Sequence, residues 1–134
     1  MALQLSVAVR NARLDAIETT AGASPRLRLL TGAPPADCAT AQAGTLLCEI
    51  ALPADWLANA SAGSKVKSGA WTGAGAAAGT VGHFRVVDAA GTTCHLQGTV
   101  TATGGGGDMT LDNTVLALNQ AVTVNSFSLT DANA

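Results

Sequence analysis

The residues of this 134-residue chain with chemical potential are two histidines, three cysteines and a few carboxylates near glycine-rich stretches. In a hairpin turning at Ala89-Ala90-Gly91, His83 and His95 point to one face, diagonally across the ladder. A zinc site needs three or four ligands. Cys94, the nearest thiol in that register, faces the other side and no carboxylate joins the imidazoles, so solvent-facing or interface histidines are expected. Cys38, Cys48 and Cys94 are odd in number and at no metal-ligand spacing, which points to reduced, structural thiols of a cytoplasmic product. Asp108, Asp112 and Asn113 offer oxygens to a calcium ion but lack the twelve-residue loop pattern, and read as turn formers.

The glycine stretches promise no more. Gly73, Gly75 and Gly79 are spaced somewhat like a dinucleotide loop, yet they open onto a strand rather than a helix. Gly104 to Gly107 lack the Lys-Ser/Thr that completes a phosphate-binding loop. No Gly-x-Ser-x-Gly elbow is present. Neither a cofactor, a metal nor a catalytic set is expected, and the chain reads as a non-enzyme. Trp56 and Trp71 fit core plugs, sugar-stacking platforms or interface anchors.

Composition narrows the partners. Charged residues make up 12% of the chain, about half the usual share of roughly 25%. The surface is therefore built largely from Ala, Thr, Ser, Gly, Asn and Gln, which desolvate cheaply and favour lasting contact with other protein. A net charge of −2 gives no basic field for nucleic acid. No run approaches the roughly 18 apolar residues of a membrane span. The opening residues place their arginines after the apolar run, the wrong order for a secretion signal.

The elements that must carry these residues follow from periodicity. Residues 5–21 show helical spacing, with Gly22 as the stop. Leu5, Ala8, Val9, Ala12 and Ala16 form a small-residue face suited to the domain's own sheet. Leu3, Val7, Leu14 and Ile17, with Arg10 and Arg13 at the edge, form a bulkier one suited to a partner. Gln4, Asn11, Asp15 and Glu18 make the one polar stripe. Strands are expected at 25–31, with Leu27 and Leu29 inward, at 45–52, with Leu46, Cys48, Ile50 and Leu52 inward, and at 122–130. Residues 32–44 have no pattern. The central hairpin is set by a three-residue loop, with Gly91 at positive φ. Asp88 then faces Thr92, Val86 faces Cys94 and Phe84 faces Leu96 on an apolar side, while His83 faces Gln97 and Arg85 faces His95 on a polar one. The class is all-β, an antiparallel β-sandwich (jelly-roll-like or open barrel) with one N-terminal helix: residues 1–22 a docking segment, 23–134 the sandwich, one domain overall.

Three stretches also carry a resemblance: Val9-Arg10-Asn11-Ala12-Arg13-Leu14-Asp15-Ala16-Ile17-Glu18-Thr19-Thr20; Leu52-Pro53-Ala54-Asp55-Trp56-Leu57; and Gly82-His83-Phe84-Arg85 on through Gly91-Thr92-Thr93-Cys94-His95 and the glycine run to Asp112-Asn113. They resemble a small family of structural proteins of tailed bacteriophages and prophages. The resemblance implies a non-enzymatic virion component assembled in the bacterial cytoplasm, and it brings no catalytic residues. The expected role is capsid decoration: a cement protein, present in many copies and as a homo-oligomer, bound to the major capsid protein or other virion proteins. A tail, collar or fibre-attachment protein and a carbohydrate-binding attachment module are the alternatives. The expected partner interface comprises Leu3, Val7, Arg10, Arg13, Leu14, Ile17, Trp56 and Trp71, with the Gly73–Gly79 loop beside it.

Overall fold

The computed structural model describes residues 3–132. Ser6 accepts a hydrogen bond from the Val9 amide at 3.2 Å and so starts helix α1, Val7–Ala21, two residues later than the apolar spacing suggests. Gly22, at φ 85°, stops it and returns its N–H to the Glu18 carbonyl. The strands follow in order: β1 Arg26–Leu30, β2 Leu46–Ala51, β3 Ser64–Val66, β4 Thr72–Ala74, β5 Gly79–Thr80, β6 His83–Val87, β7 Cys94–Ala102, β8 Met109–Leu111, β9 Val115–Leu116, β10 Ala121–Thr123 and β11 Ser128–Thr130.

Five of them form one curled sheet in the order β2-β1-β6-β7-β8, and β10-β4, β11-β3 and β5-β9 form two-stranded pairs. The sheet is mixed rather than antiparallel as expected, because β7 and β8 run parallel with Val100 opposite Met109. Parallel neighbours normally need a crossover of a dozen or more residues. Here residues 103–108 make the return alone. Gly104 and Gly106 take φ near +88° and +82°, and the Gly107 N–H and the Asp108 carboxylate bond back to Thr101 and Thr99 of β7. The glycine run is thus a built connection.

The central hairpin forms, with Gly91 at φ 78° as expected. Its loop is one residue longer than predicted. Asp88 pairs with Thr93 through the main chain, and its carboxylate accepts the Thr92 amide at 2.7 Å and hydroxyl at 2.9 Å. A bulge follows, so Val87 faces Cys94 but Val86 faces Leu96, Arg85 faces Gln97, Phe84 faces Gly98 and His83 faces Thr99. A net slip of two residues keeps most side chains on their predicted faces. The exceptions lie at the bulge. Cys94 turns to the Arg85 side, where Arg85 Nε donates to its sulfur at 3.2 Å, and His95 lies beside helix α1.

The core joins the inner faces of β1, β2, β6 and β7 to a chain of aromatics. Trp56 lies 6.1 Å from Trp71, and Phe127 lies 5.6 Å from both Trp71 and Phe84. The Gly73–Gly79 stretch is tied to this core at one buried point. Gly75 is buried, bridges to Cys48 and exchanges backbone bonds with Gln120 and Asn119, so it is no free docking arm. The predicted strand from Thr80 breaks at Val81-Gly82, where Gly82 approaches Gly32 so closely that a Cβ would sit on its carbonyl oxygen. Gly82→Ala is expected to cost about 1–3 kcal/mol in urea unfolding through that overlap. A neutral result would mean that the two backbones are further apart.

Candidate functional site

Two places gather the chain's polar groups: the outer face of the sheet under residues 32–44, and the contact between α1 and residues 57–65. On the sheet, His83 and Arg85 are buried rather than solvent-facing, because the patternless loop lies over them. Its backbone supplies the acceptors. His83 Nδ1 lies 2.9 Å from the Gly32 carbonyl and Gln97 Nε2 donates to Pro35 O at 2.8 Å. Arg85 Nη2 donates to Cys38 O at 2.8 Å and Thr40 O at 2.9 Å. The guanidinium, whose five donors lie in a fixed fork, is suited to clamping several carbonyls at once. His83 and His95 therefore share no face: one is sealed under the loop and the other is half-buried beside Arg13, Ile17 and Thr20.

The thiols separate into two settings. Cys48 is buried in β2, and burial pushes its pKa up. Cys38, in the loop, is also pushed up, first by burial and then by a hydrogen bond with the Cys94 thiol. The carboxylates read as turn formers are engaged within the chain. Asp108 holds Thr99, while Asp112 accepts from Thr103 and Asn125. Among the described residues no three or more His, Cys, Asp or Glu side chains gather as metal ligands, and no helix is long and apolar enough to cross a membrane.

Helix α1 docks by the face least expected to do so. Its polar stripe points inward: Asn11 Oδ1 accepts Gly63 N at 2.9 Å, Asp15 Oδ1 accepts Ala60 N at 2.9 Å, and Glu18 Oε2 accepts Leu57 N at 2.7 Å. Lys65, 1% exposed, reaches the same stripe, with Nζ 2.7 Å from Asp15 and 3.6 Å from Glu18. The cause is hydrogen-bond demand. Irregular backbone between Leu57 and Gly63 brings N–H groups against the helix, and only carboxylates and an amide satisfy them there. Lys65 and the Ala60 amide in turn hold the Asp15 carboxyl below its ordinary pKa.

The predicted interface residues are dispersed by this arrangement. Leu3, at 82% exposed, and Val7 lie in solvent at the start of the helix, and the small face of Ala8, Val9, Ala12 and Ala16 is exposed rather than packed on the sheet. Arg10 Nη1 donates to Asp131 O at 3.1 Å and Arg13 Nε lies 3.2 Å from Asp131 Oδ2, so both hold the C-terminal segment. Leu14 is buried, and Ile17 is half-buried beside it at a shallow hollow bounded by Thr130 and Asp131. Trp56 and Trp71 are fully buried, their N–H groups donated to Gly22 O and Ser68 O, and neither is available as an interface anchor. Nothing in the sequence marked the inward stripe except Asn11, Asp15 and Glu18 on one side of the helix, with Lys65 in a segment otherwise poor in charge. Comparison of the chain with protein-family models, with curated proteins and with solved structures finds no match to any of them.

Proposed function

We propose that this protein is a non-enzymatic structural subunit of a tailed-phage particle, set on the outside of the capsid lattice as a decoration protein. In this reading the curled sheet and the three strand pairs are the two layers of an open sandwich, and α1 is the docking element. The observation that carries it is the inverted helix: the polar stripe is spent inside the domain and Leu3, Val7, Ala8, Val9, Ala12 and Ala16 face outward. A surface helix ordinarily does the reverse. Alanine and valine give up little hydration on contact, and many copies on one lattice add modest contacts into firm attachment. The resemblance of Val9–Thr20 and of the hairpin to phage structural proteins supports the same reading.

With both tryptophans buried, a sugar finds no exposed indole to stack on, which leaves a tail or collar position as the competing assignment. Quantitative mass spectrometry of purified particles separates the two. Decoration predicts hundreds of copies in a simple ratio to the shell protein. A few dozen or fewer would move the protein to the tail or collar, and absence from the particle would overturn the structural role.

A further inference from the structure

We propose that Cys38 and Cys94 form a dithiol site that peroxide-class oxidants convert into an intramolecular disulfide, fastening the 32–44 loop to the sheet. Cys38 and Cys94 line one hollow at the join between loop and hairpin. One guanidinium holds both residues beside it: Arg85 Nε donates to Cys94 Sγ at 3.2 Å while its Nη2 donates to the Cys38 carbonyl at 2.8 Å. The bulge between Val86 and Val87 supplies the geometry, since in a regular ladder Cys94 would project to the opposite face.

Access and selectivity point the same way. Cys38 and Cys94 are partly exposed and line a shallow hollow with Thr40, Arg85 and Thr92, open to a small oxidant, whereas Cys48 is fully buried in β2. Arg85 aims positive charge at the Cys94 sulfur, where negative charge develops as a thiol reacts. In the first step a cysteine sulfur attacks hydrogen peroxide, the O–O bond breaks, and a sulfenic acid and one water form. In the second the neighbouring sulfur displaces the hydroxyl group, the S–S bond forms and a second water leaves with the remaining thiol proton. The two thiols lose two electrons and the peroxide gains them. The site stands on this geometry alone and is independent of the particle assignment.

The test uses the full chain, reduced and then treated with hydrogen peroxide. The intact mass is expected to fall by two hydrogens, with one thiol still free to alkylate after unfolding. Chymotryptic mapping, which separates Cys38 from Cys48 at Leu46 and Leu47, is expected to join Cys38 to Cys94. The oxidised chain is expected to melt about 10 °C above the reduced one. Cys38→Ser and Cys94→Ser each abolish the mass loss, and the map on the unaltered chain decides the matter even where a variant folds poorly. Oxygen addition without a cross-link, a bridge to Cys48, or linkage only between separate molecules would overturn the proposal.

Discussion

Replacing Asp15 by Asn together with Glu18 by Gln is expected to remove a substantial part of the domain's margin of stability. Both changes keep the side-chain oxygens that cap the Ala60 and Leu57 amides, so what is lost is the charge facing Lys65. That ammonium is 1% exposed, with the Ala58 carbonyl at 3.0 Å as its other partner. A buried cation stripped of its counter-charges costs about 3–5 kcal/mol, against a total of about 5–15 kcal/mol for a domain. Adding Lys65→Met to the double variant should restore much of the loss, since an apolar side chain of similar length needs no partner. Urea midpoints of the parent, double and triple variants give the answer, and a double variant within about 1 kcal/mol of the parent would show that Lys65 finds water instead. The acid limb follows with a definite sign. Because the folded Asp15 pKa is lowered, its contribution is full above the ordinary carboxylate value of about 3.9, and it is lost as pH falls through the lower folded value.

Trp71→Ala should be comparably severe for a different reason. The indole is fully buried between Trp56 and Phe127, and its N–H is tied to Ser68 O at 3.2 Å. Truncation opens a void in the middle of the aromatic chain, and losses of about 3–5 kcal/mol are usual for such sites. Trp71→Phe, which keeps the ring contacts and loses the N–H, should recover most of it. Differential scanning calorimetry reads both, and an alanine variant that melts like the parent would place Trp71 outside the core.

The local rules read well where a single element decides its own fate. Gly22 stops the helix, Leu27, Leu29 and Ile50 fall inward, and Gly91 takes the left-handed turn position. Long-range geometry did not follow from them. A helical wheel shows where Asn11, Asp15 and Glu18 lie, but not whether water or unpaired backbone awaits them. Strand alternation predicts faces, but the extra residue at His95 sends Cys94 to the side where Arg85 waits. The parallel pairing of β8 is carried by a glycine run whose composition equally suits a mobile loop. The site residues fared accordingly. Leu3 and Val7 are exposed, while Leu14, Trp56 and Trp71 were drawn inside by their own bulk.

The clamp over the sheet has a consequence for how this protein can change. Arg85, His83 and Gln97 grip the 32–44 segment at carbonyl oxygens of Gly32, Pro35, Cys38 and Thr40, atoms that every residue type possesses. The exposed side chains at Ala33, Ala36, Ala39 and Ala41 contribute little to that grip. Those four alanine positions are therefore a natural place for sequence drift, where letters can be rewritten while the thread that holds them stays tied.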